Sequence, residues 1–325
     1  MTRQQVRIGT RASKLALAQS GMMQRRIAAA LGVPEGSPQE AVDEVAPLVR
    51  ITTSGDRIQD RRLMEVGGKG LFTKEIEEAM LDGRIDCAIH SLKDMPAVLP
   101  PGLVIAANPE REDVRDAFLS VKVASFDALP QGATLGTASL RRQAQALHRR
   151  PDLQVNMLRG NVDTRLAKLE AGEADAILLA MSGLKRLGLG HLPKMLIDPM
   201  ECPPAPGQGA LAIETRESDL DQPWLEAVRH APTTLAVAAE RGAMAALEGS
   251  CRTAIGAYAR LDGDRLSLIV EALTPDGARR FRRAGETSVA GPDGEAKARS
   301  LGLHLGEAIQ AEGGEALLAP EHGTE

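Results

Sequence analysis

Aromatic residues are scarce in this chain. Of its 325 residues one is Trp, one is Tyr and four are Phe, 2% in all. Ala, Leu, Val and Ile must therefore fill its cores. The stacked aromatic platforms that hold single-stranded nucleic acid are missing. Cysteine is scarce too, with only Cys87, Cys202 and Cys251 and no paired spacing. That argues against a disulfide framework and fits a reducing compartment. There is no Cys-x-x-Cys, and the six histidines are scattered, so no metal signature appears. No apolar run approaches transmembrane length. The segment from Met1 to Ile8 is too short and polar for a signal peptide. The net charge of −5 gives no global pull toward nucleic acid or an anionic membrane. What remains is a chain that is 43% hydrophobic and long enough for two or three domains with substantial cores. Its expected setting is the cytoplasm, with neither nucleic acid nor membrane as partner.

Hydrophobic periodicity predicts strands over Val6–Thr10, Val45–Thr53, Cys87–Ile89 and Leu103–Ala107, with helices from about Leu15 to Leu31 and Phe72 to Leu81. Gly32–Pro38 reads as a turn, and Ser54–Gly70 as a polar, glycine-rich loop. Asn108–Arg115 is a charged segment without periodicity, after which the pattern restarts. Strands are expected at Ala117–Ser120, Thr134–Gly136, Leu153–Met157 and Ala176–Leu179. Helices are expected at Ser139–Arg149, Val162–Glu170 and Ser182–Leu187. This alternation predicts an α/β protein with parallel sheets covered on both faces. The Pro-Gly run Cys202–Gly209 leads to one more strand, Ala210–Glu214, which returns to the first lobe and makes a hinged pair of crossings. From Thr233 the character changes to a helix, three alternating runs and a final helix, an α+β appendage. The expected domains are residues 1–109 with 210–230, residues 110–209, and residues 231–325.

Ligands of open α/β sheets gather outside the carboxyl ends of strands. After the first strand come Thr10, Arg11 and Ser13, and after Ile89 come Ser91, Lys93 and Asp94. Thr137, Ser139, Arg141 and Arg142 follow Gly136. Arg159, Gly160, Asn161 and Arg165 follow Met157, and Ser182, Lys185 and Arg186 follow Leu179. Helix N-termini favour anions through free N–H groups and the helix dipole, and arginine adds bidentate recognition of carboxylates. Any one of these arginines reads equally as a solvated helix charge. Repeated at successive strand ends, they predict a ligand with several negative groups, held in a cleft between two lobes. Asp94 reads either as an acid/base group able to stabilise a cation or as a loop residue capping its own backbone. Gly67-Gly68-Lys69-Gly70 lacks the spacing and hydroxyl of a phosphate loop, which leaves it as a flexible loop over the cleft. Cys87, His90 and His148 read as structural and Cys202 as a loop thiol. Leu247-Glu248-Gly249-Ser250-Cys251-Arg252 places a thiol on a bendable backbone beside positive charge, which favours a thiolate. A buried structural cysteine fits the same hexapeptide.

Taken together, Gly9-Thr10-Arg11-Ala12-Ser13, Val66–Phe72, His90-Ser91-Leu92-Lys93-Asp94-Met95-Pro96, Gly136–Gln143, Leu158–Val162, Gly183–Gly188, Pro206–Ala210 and Leu247–Cys251 resemble the porphobilinogen deaminase (hydroxymethylbilane synthase) family over nearly the whole length. The resemblance implies two lobes like those of type II periplasmic binding proteins plus a small α+β C-terminal domain. It implies a transferase that joins four porphobilinogens into a linear tetrapyrrole, releasing ammonia at each condensation. It also implies a dipyrromethane cofactor on a thioether to Cys251. Asp94 would assist ammonia loss and stabilise the cationic azafulvene. Ser13, Lys93, Asp94, Thr137, Ser139, Arg141, Arg142 and Gly160 would hold the cofactor. Arg11, Arg159, Arg165, Arg186 and Gln208 would hold substrate, and Lys69 and Phe72 would belong to a mobile loop. No metal is implied, and the expected state is a monomer. The chain departs from the family pattern at Lys14, at Glu65, at Ser250 and in a longer Gly32–Ala46 segment expected to be a surface insertion. The alternative is a non-catalytic two-lobe solute-binding or effector-sensing protein.

Overall fold

The structure is a computed structural model and describes residues 5–57, 72–247 and 253–318. In chain order the strands are β1 (Ile8–Thr10), β2 (Leu48–Arg50), β3 (Cys87–Ser91), β4 (Leu103–Ala107) and β5 (Asp116–Leu119). They continue as β6 (Thr134–Gly136), β7 (Gln154–Asn156), β8 (Ala176–Ala180), β9 (Met195–Leu196) and β10 (Leu211–Arg216). The last three are β11 (Ala254–Asp262), β12 (Arg265–Leu273) and β13 (Arg280–Ser288).

The described residues fall into two compact units, one of residues 5–57, 72–112 and 210–234, the other of residues 113–209, 235–247 and 253–318. The first unit holds a sheet of order β2-β1-β3-β10-β4, and the second holds one of order β7-β6-β8-β5-β9. Within each, three strands are parallel, with Ile8 facing Leu48 and Cys87, and Leu135 facing Val155 and Ala176. The strand that the chain lays down on entering the unit, β10 or β5, runs antiparallel to both neighbours. Both sheets thus have the same order, 2-1-3-n-4, where n is the entering strand. The expectation of wholly parallel sheets is corrected. A parallel neighbour needs a crossover helix before it. Asn108–Arg115 and Cys202–Gly209 contain none, so the entering strand pairs in the opposite sense.

The second unit also contains the antiparallel sheet β11-β12-β13. One face of it packs on the helices Ala231–Ala246 and Gly294–Gly313 through Ala239, Ala243, Leu266, Leu268, Val270, Phe281 and Leu305. The expected second lobe and C-terminal domain lie together in this unit, where Ala144 of helix Leu140–Arg149 packs with Ala254 and Leu273 of the antiparallel sheet. Helix Gln39–Val45 is an element that periodicity does not predict. Pro34–Gly36, Gln39, Glu40, Asp43 and Glu44 are exposed, while Val42, Val45 and Ala46 are buried in the first unit's core, so the expected surface segment is anchored by a short helix. Seven residues with two buried valines are too short a stretch to show a helical period. Among the described residues no helix is long and apolar enough to cross a membrane.

Glycine sets the closest helix contact. A Cβ on Gly302 would overlap the Ala239 carbonyl oxygen, one on Gly242 would overlap that of Arg299, and one on Gly306 would lie 2.7 Å from the Ala246 Cβ. Helices of small residues can approach backbone to backbone, and an added side chain must force them apart. Gly302→Val should destabilise the protein by about 3 kcal/mol, as read by denaturant titration. An unchanged midpoint would show that these helices do not meet there.

Candidate anion-binding site

Because β1, β2 and β3 are parallel, their carboxyl ends share one edge of the first sheet, and the helices that follow begin there. Ser13 caps helix Lys14–Ala30, its Oγ accepting from Ala16 N at 3.3 Å. The Arg11 guanidinium lies over the Phe72 ring, 4.1 Å from its centroid, a cation–π contact. Gln19 Nε2 donates to Ser91 Oγ at 2.8 Å, which ties the helix to the end of β3. A single 3₁₀ turn, Leu92–Asp94, follows. Leu92 and Met95 are buried at its two ends, Lys93 is half-buried, and Asp94 is exposed. Two apolar anchors thus display a carboxylate and an ammonium side by side.

Behind that edge the sheet carries buried charge. His90 Nε2 sits 3.1 Å from Glu214 Oε2, both side chains inside the unit. Glu77, on helix Lys74–Leu81, is buried nearby. Burial, reinforced by Glu214, raises the Glu77 carboxyl above its ordinary range, against the opposing pull of Thr73 and His90. His90 is therefore structural, as expected. A carboxyl raised by folding gives stability that is complete below its unfolded pKa of about 4.3 and is lost as pH rises through the folded value. Gln imitates the protonated form. Glu77→Gln should therefore match the parent near the unfolded pKa and become progressively more stable than it as pH rises, as read by a melting series. A pH-independent difference would refute this.

In the second unit β6, β7 and β8 likewise bring their carboxyl ends to one edge. Thr137 Oγ1 accepts from Ser139 N at 3.1 Å, and Ser139 caps helix Leu140–Arg149 through Arg142 N at 3.4 Å. Asn161 caps helix Val162–Glu170, its Oδ1 accepting from Thr164 N at 2.9 Å. Gly160 holds φ at +119°, and a Cβ there would lie 2.7 Å from that of Thr164, so the approach to this cap requires glycine. Arg165 Nε donates to Gly160 O at 2.9 Å, and Arg186 Nη2 donates to Gly209 O at 2.7 Å. Arg159 is half-buried, and its buried Nη1 has no hydrogen-bond partner among the described residues.

Arg141, Arg142 and Gln208 lie deeper than the sequence suggests, at 5%, 6% and 0% exposure. Arg141 Nη1 donates to Asp116 Oδ2 at 2.8 Å. Arg142 Nη2 and Nε donate to Asp116 Oδ1 at 2.7 and 3.1 Å, and its Nη1 donates to Leu178 O. Gln208 Nε2 donates to Val114 O at 2.8 Å and to Asp116 Oδ1 at 3.0 Å. The hydrogen bonds from Arg141, Arg142 and Gln208 to Asp116 run inward, a feature that residue type at a strand end does not reveal. Burial pushes the Asp116 carboxyl up, but the Arg141 and Arg142 guanidinia override that and hold it well below the usual range. Sequence reasoning missed Asp116. Its signal was a lone charge at the head of the apolar run Ala117-Phe118-Leu119. Gln19 was missed too, hidden among the polar positions of an amphipathic helix.

Two cysteines are inert. Burial holds the Cys87 thiol far above its ordinary value, and it pushes Cys202 up to about 11, with Glu271 adding to the rise. Cys251 and Lys69 lie outside the described residues.

The strand order and the capped helices at the strand ends define a class: an α/β protein with two five-stranded mixed sheets of the same order, plus a small sheet-and-helix domain. Residues 6–222 match the dipyromethane cofactor binding domain of porphobilinogen deaminase, and residues 234–311 match the C-terminal domain of the same enzyme. The chain belongs to the porphobilinogen deaminase family. It is 71% identical over 316 residues to a porphobilinogen deaminase of Caulobacter vibrioides, covering 97% of this chain and 98% of that one. It is 68% identical over 314 residues to one of Phenylobacterium zucineum, covering 96% and 98%. Among solved structures, a periplasmic substrate-binding protein from Coxiella burnetii is similar at a TM-score of 0.42 and 15% identity, covering 73% of this chain and 96% of that one.

Proposed function

We propose that this chain condenses four porphobilinogens head to tail into hydroxymethylbilane, releasing one ammonia at each step, on a dipyrromethane primer joined to Cys251. The observation that carries this reading is the buried, unpartnered Nη1 of Arg159, at a strand end between capped helix N-termini. A buried guanidinium donor without an acceptor is costly, and a ligand carboxylate relieves that cost. Each pyrrole ring of the primer and of the substrate brings two carboxylates, so the residues present fit the group.

Ser13, Lys93, Thr137, Ser139 and the Gly160 backbone would hold the primer. Arg141 and Arg142 would act as fixed positive charge behind the Ser139 cap. Arg11, Arg159, Arg165 and Arg186 would orient substrate carboxylates. Lys69 and Phe72 would serve the loop that follows the first helices. When bound, the dipyrromethane supplies the free pyrrole carbon on which the chain is extended. Asp94 would lie against the substrate's pyrrole nitrogen, offset the positive charge that develops as ammonia leaves, and accept the ring proton released on bond formation. Its exposure beside Lys93 keeps it reachable by each new substrate. We place the protein in the cytoplasm, acting as a monomer.

Intact mass and turnover of the purified protein test the reading together. The expected result is a mass increased by one dipyrromethane on Cys251, with formation of hydroxymethylbilane and ammonia from porphobilinogen. Product formation by protein with an unmodified Cys251 would sink the covalent primer. Asp94→Asn should keep fold and primer and lose most turnover, and near-parental kcat would remove Asp94 from the chemistry. Arg159→Ala removes a charge-assisted contact worth about 2 kcal/mol, so kcat/KM should fall roughly thirtyfold, mainly through KM. An unchanged KM would take Arg159 out of the site.

A further inference from the structure

Asp116 opens β5 and is wholly enclosed, yet it belongs to none of the groups that would touch a ligand. Its two oxygens receive donors from three directions. Arg141 and Arg142 come from the first turn of helix Leu140–Arg149, and Gln208 comes from the loop that leaves the unit. A second layer stands behind it. Arg141 Nη1 also donates to Gln145 Oε1 at 2.7 Å, and Gln145 Nε2 donates to Pro203 O at 2.8 Å and Glu271 Oε1 at 2.7 Å. Both arginines lie in the turn that Ser139 caps, so a shift of their guanidinia moves the cap.

We propose that Asp116 is a positioning residue for carboxylate binding, acting through Arg141 and Arg142 to set the Thr137–Ser139 cap and through Gln208 to hold the neighbouring loop in register with it. This rests on the function proposed above. Asp116 carries one negative charge against two guanidinia, so the cluster keeps a net positive charge beneath the cap without offering a free arginine that could turn outward. Removing the Asp116 charge frees both side chains and blurs the place where a carboxylate is held. Weakening the second layer leaves the Asp116 bonds intact.

The test compares Asp116→Asn, Asp116→Glu and Glu271→Gln by melting temperature, intact mass and steady-state kinetics. Asp116→Asn should fold but carry primer on about a tenth as many molecules, and its primed fraction should show KM raised about tenfold with kcat within about twofold. Asp116→Glu keeps the charge and covers the case in which the Asn variant fails to fold. It should keep its primer and show KM raised about threefold, because its carboxylate sits one methylene out of place. Glu271→Gln, which changes the second layer without touching Asp116, should leave KM unchanged. Parental primer content and KM in both Asp116 variants would overturn the inference, as would an equal KM rise in Glu271→Gln. If the parent itself has neither primer nor turnover, the functional reading falls separately. The thermal shift given by citrate, a tricarboxylate, to parent and to Asp116→Glu then decides, and equal shifts overturn the role of Asp116.

Discussion

Parallel pairing of three neighbouring strands is the constraint from which the rest follows. A strand that must return parallel to its predecessor needs a crossover along the sheet face, and the next helix then starts at the carboxyl edge. In each lobe this happens at β1 and β3 or at β6, β7 and β8, so capped N-termini and the residues just before them collect at one edge. Free backbone donors and the positive ends of helix dipoles are concentrated there before any side chain is chosen. Ser13, Ser139 and Asn161 each satisfy one donor of their helix and leave others facing outward. The anion preference is thus a property of the topology, and the arginines refine it.

Buried charge in this protein serves placement more than stability. Moving Asp116, Arg141 and Arg142 out of water is expensive, and an apolar trio of equal volume would often fold as well or better. What the charges add is direction. A carboxylate has fixed lone pairs and a guanidinium has a planar fork, so the bonds among Asp116, Arg141, Arg142 and Gln208 fix their mutual orientation, with Arg141 Nε left buried and without a partner among the described residues. The first lobe has its own buried set in Glu214, Glu77 and His90, the last on the strand that leads to Lys93 and Asp94. In both lobes buried charge lies close to the carboxyl edge of the parallel strands.

Much of this was legible in the residues, and the failures have physical causes. β4, β6 and helix Val162–Glu170 were predicted residue for residue, because aliphatic runs and Asn or Ser caps report local preferences. The antiparallel sense of β5 and β10 was not legible, because it depends on where the chain has come from. Helix Gln39–Val45 was hidden by its length. In the candidate site, residue type at a strand end does not say which way a side chain turns. Arg159 and Arg142 follow strand ends in the same manner. One has a buried donor without an acceptor, and the other is locked to Asp116. The difference lies in Asp116, a residue distant in sequence from both.

That division among arginines bears on how a ligand that grows by two carboxylates per ring can be held. A flexible cation must give up rotamer freedom for each contact, and a site made only of such groups would lose that entropy again at every addition. Here Arg142 is immobilised in the folded protein, and Arg186 and Arg165 are pinned by bonds to Gly209 O and Gly160 O. Their ordering is complete before any ligand arrives. Leu92 and Met95, buried at the two ends of the Lys93–Asp94 turn, fix its backbone. A largely rigid field of positive charge with few adjustable groups suits successive ligands of the same chemistry and different length.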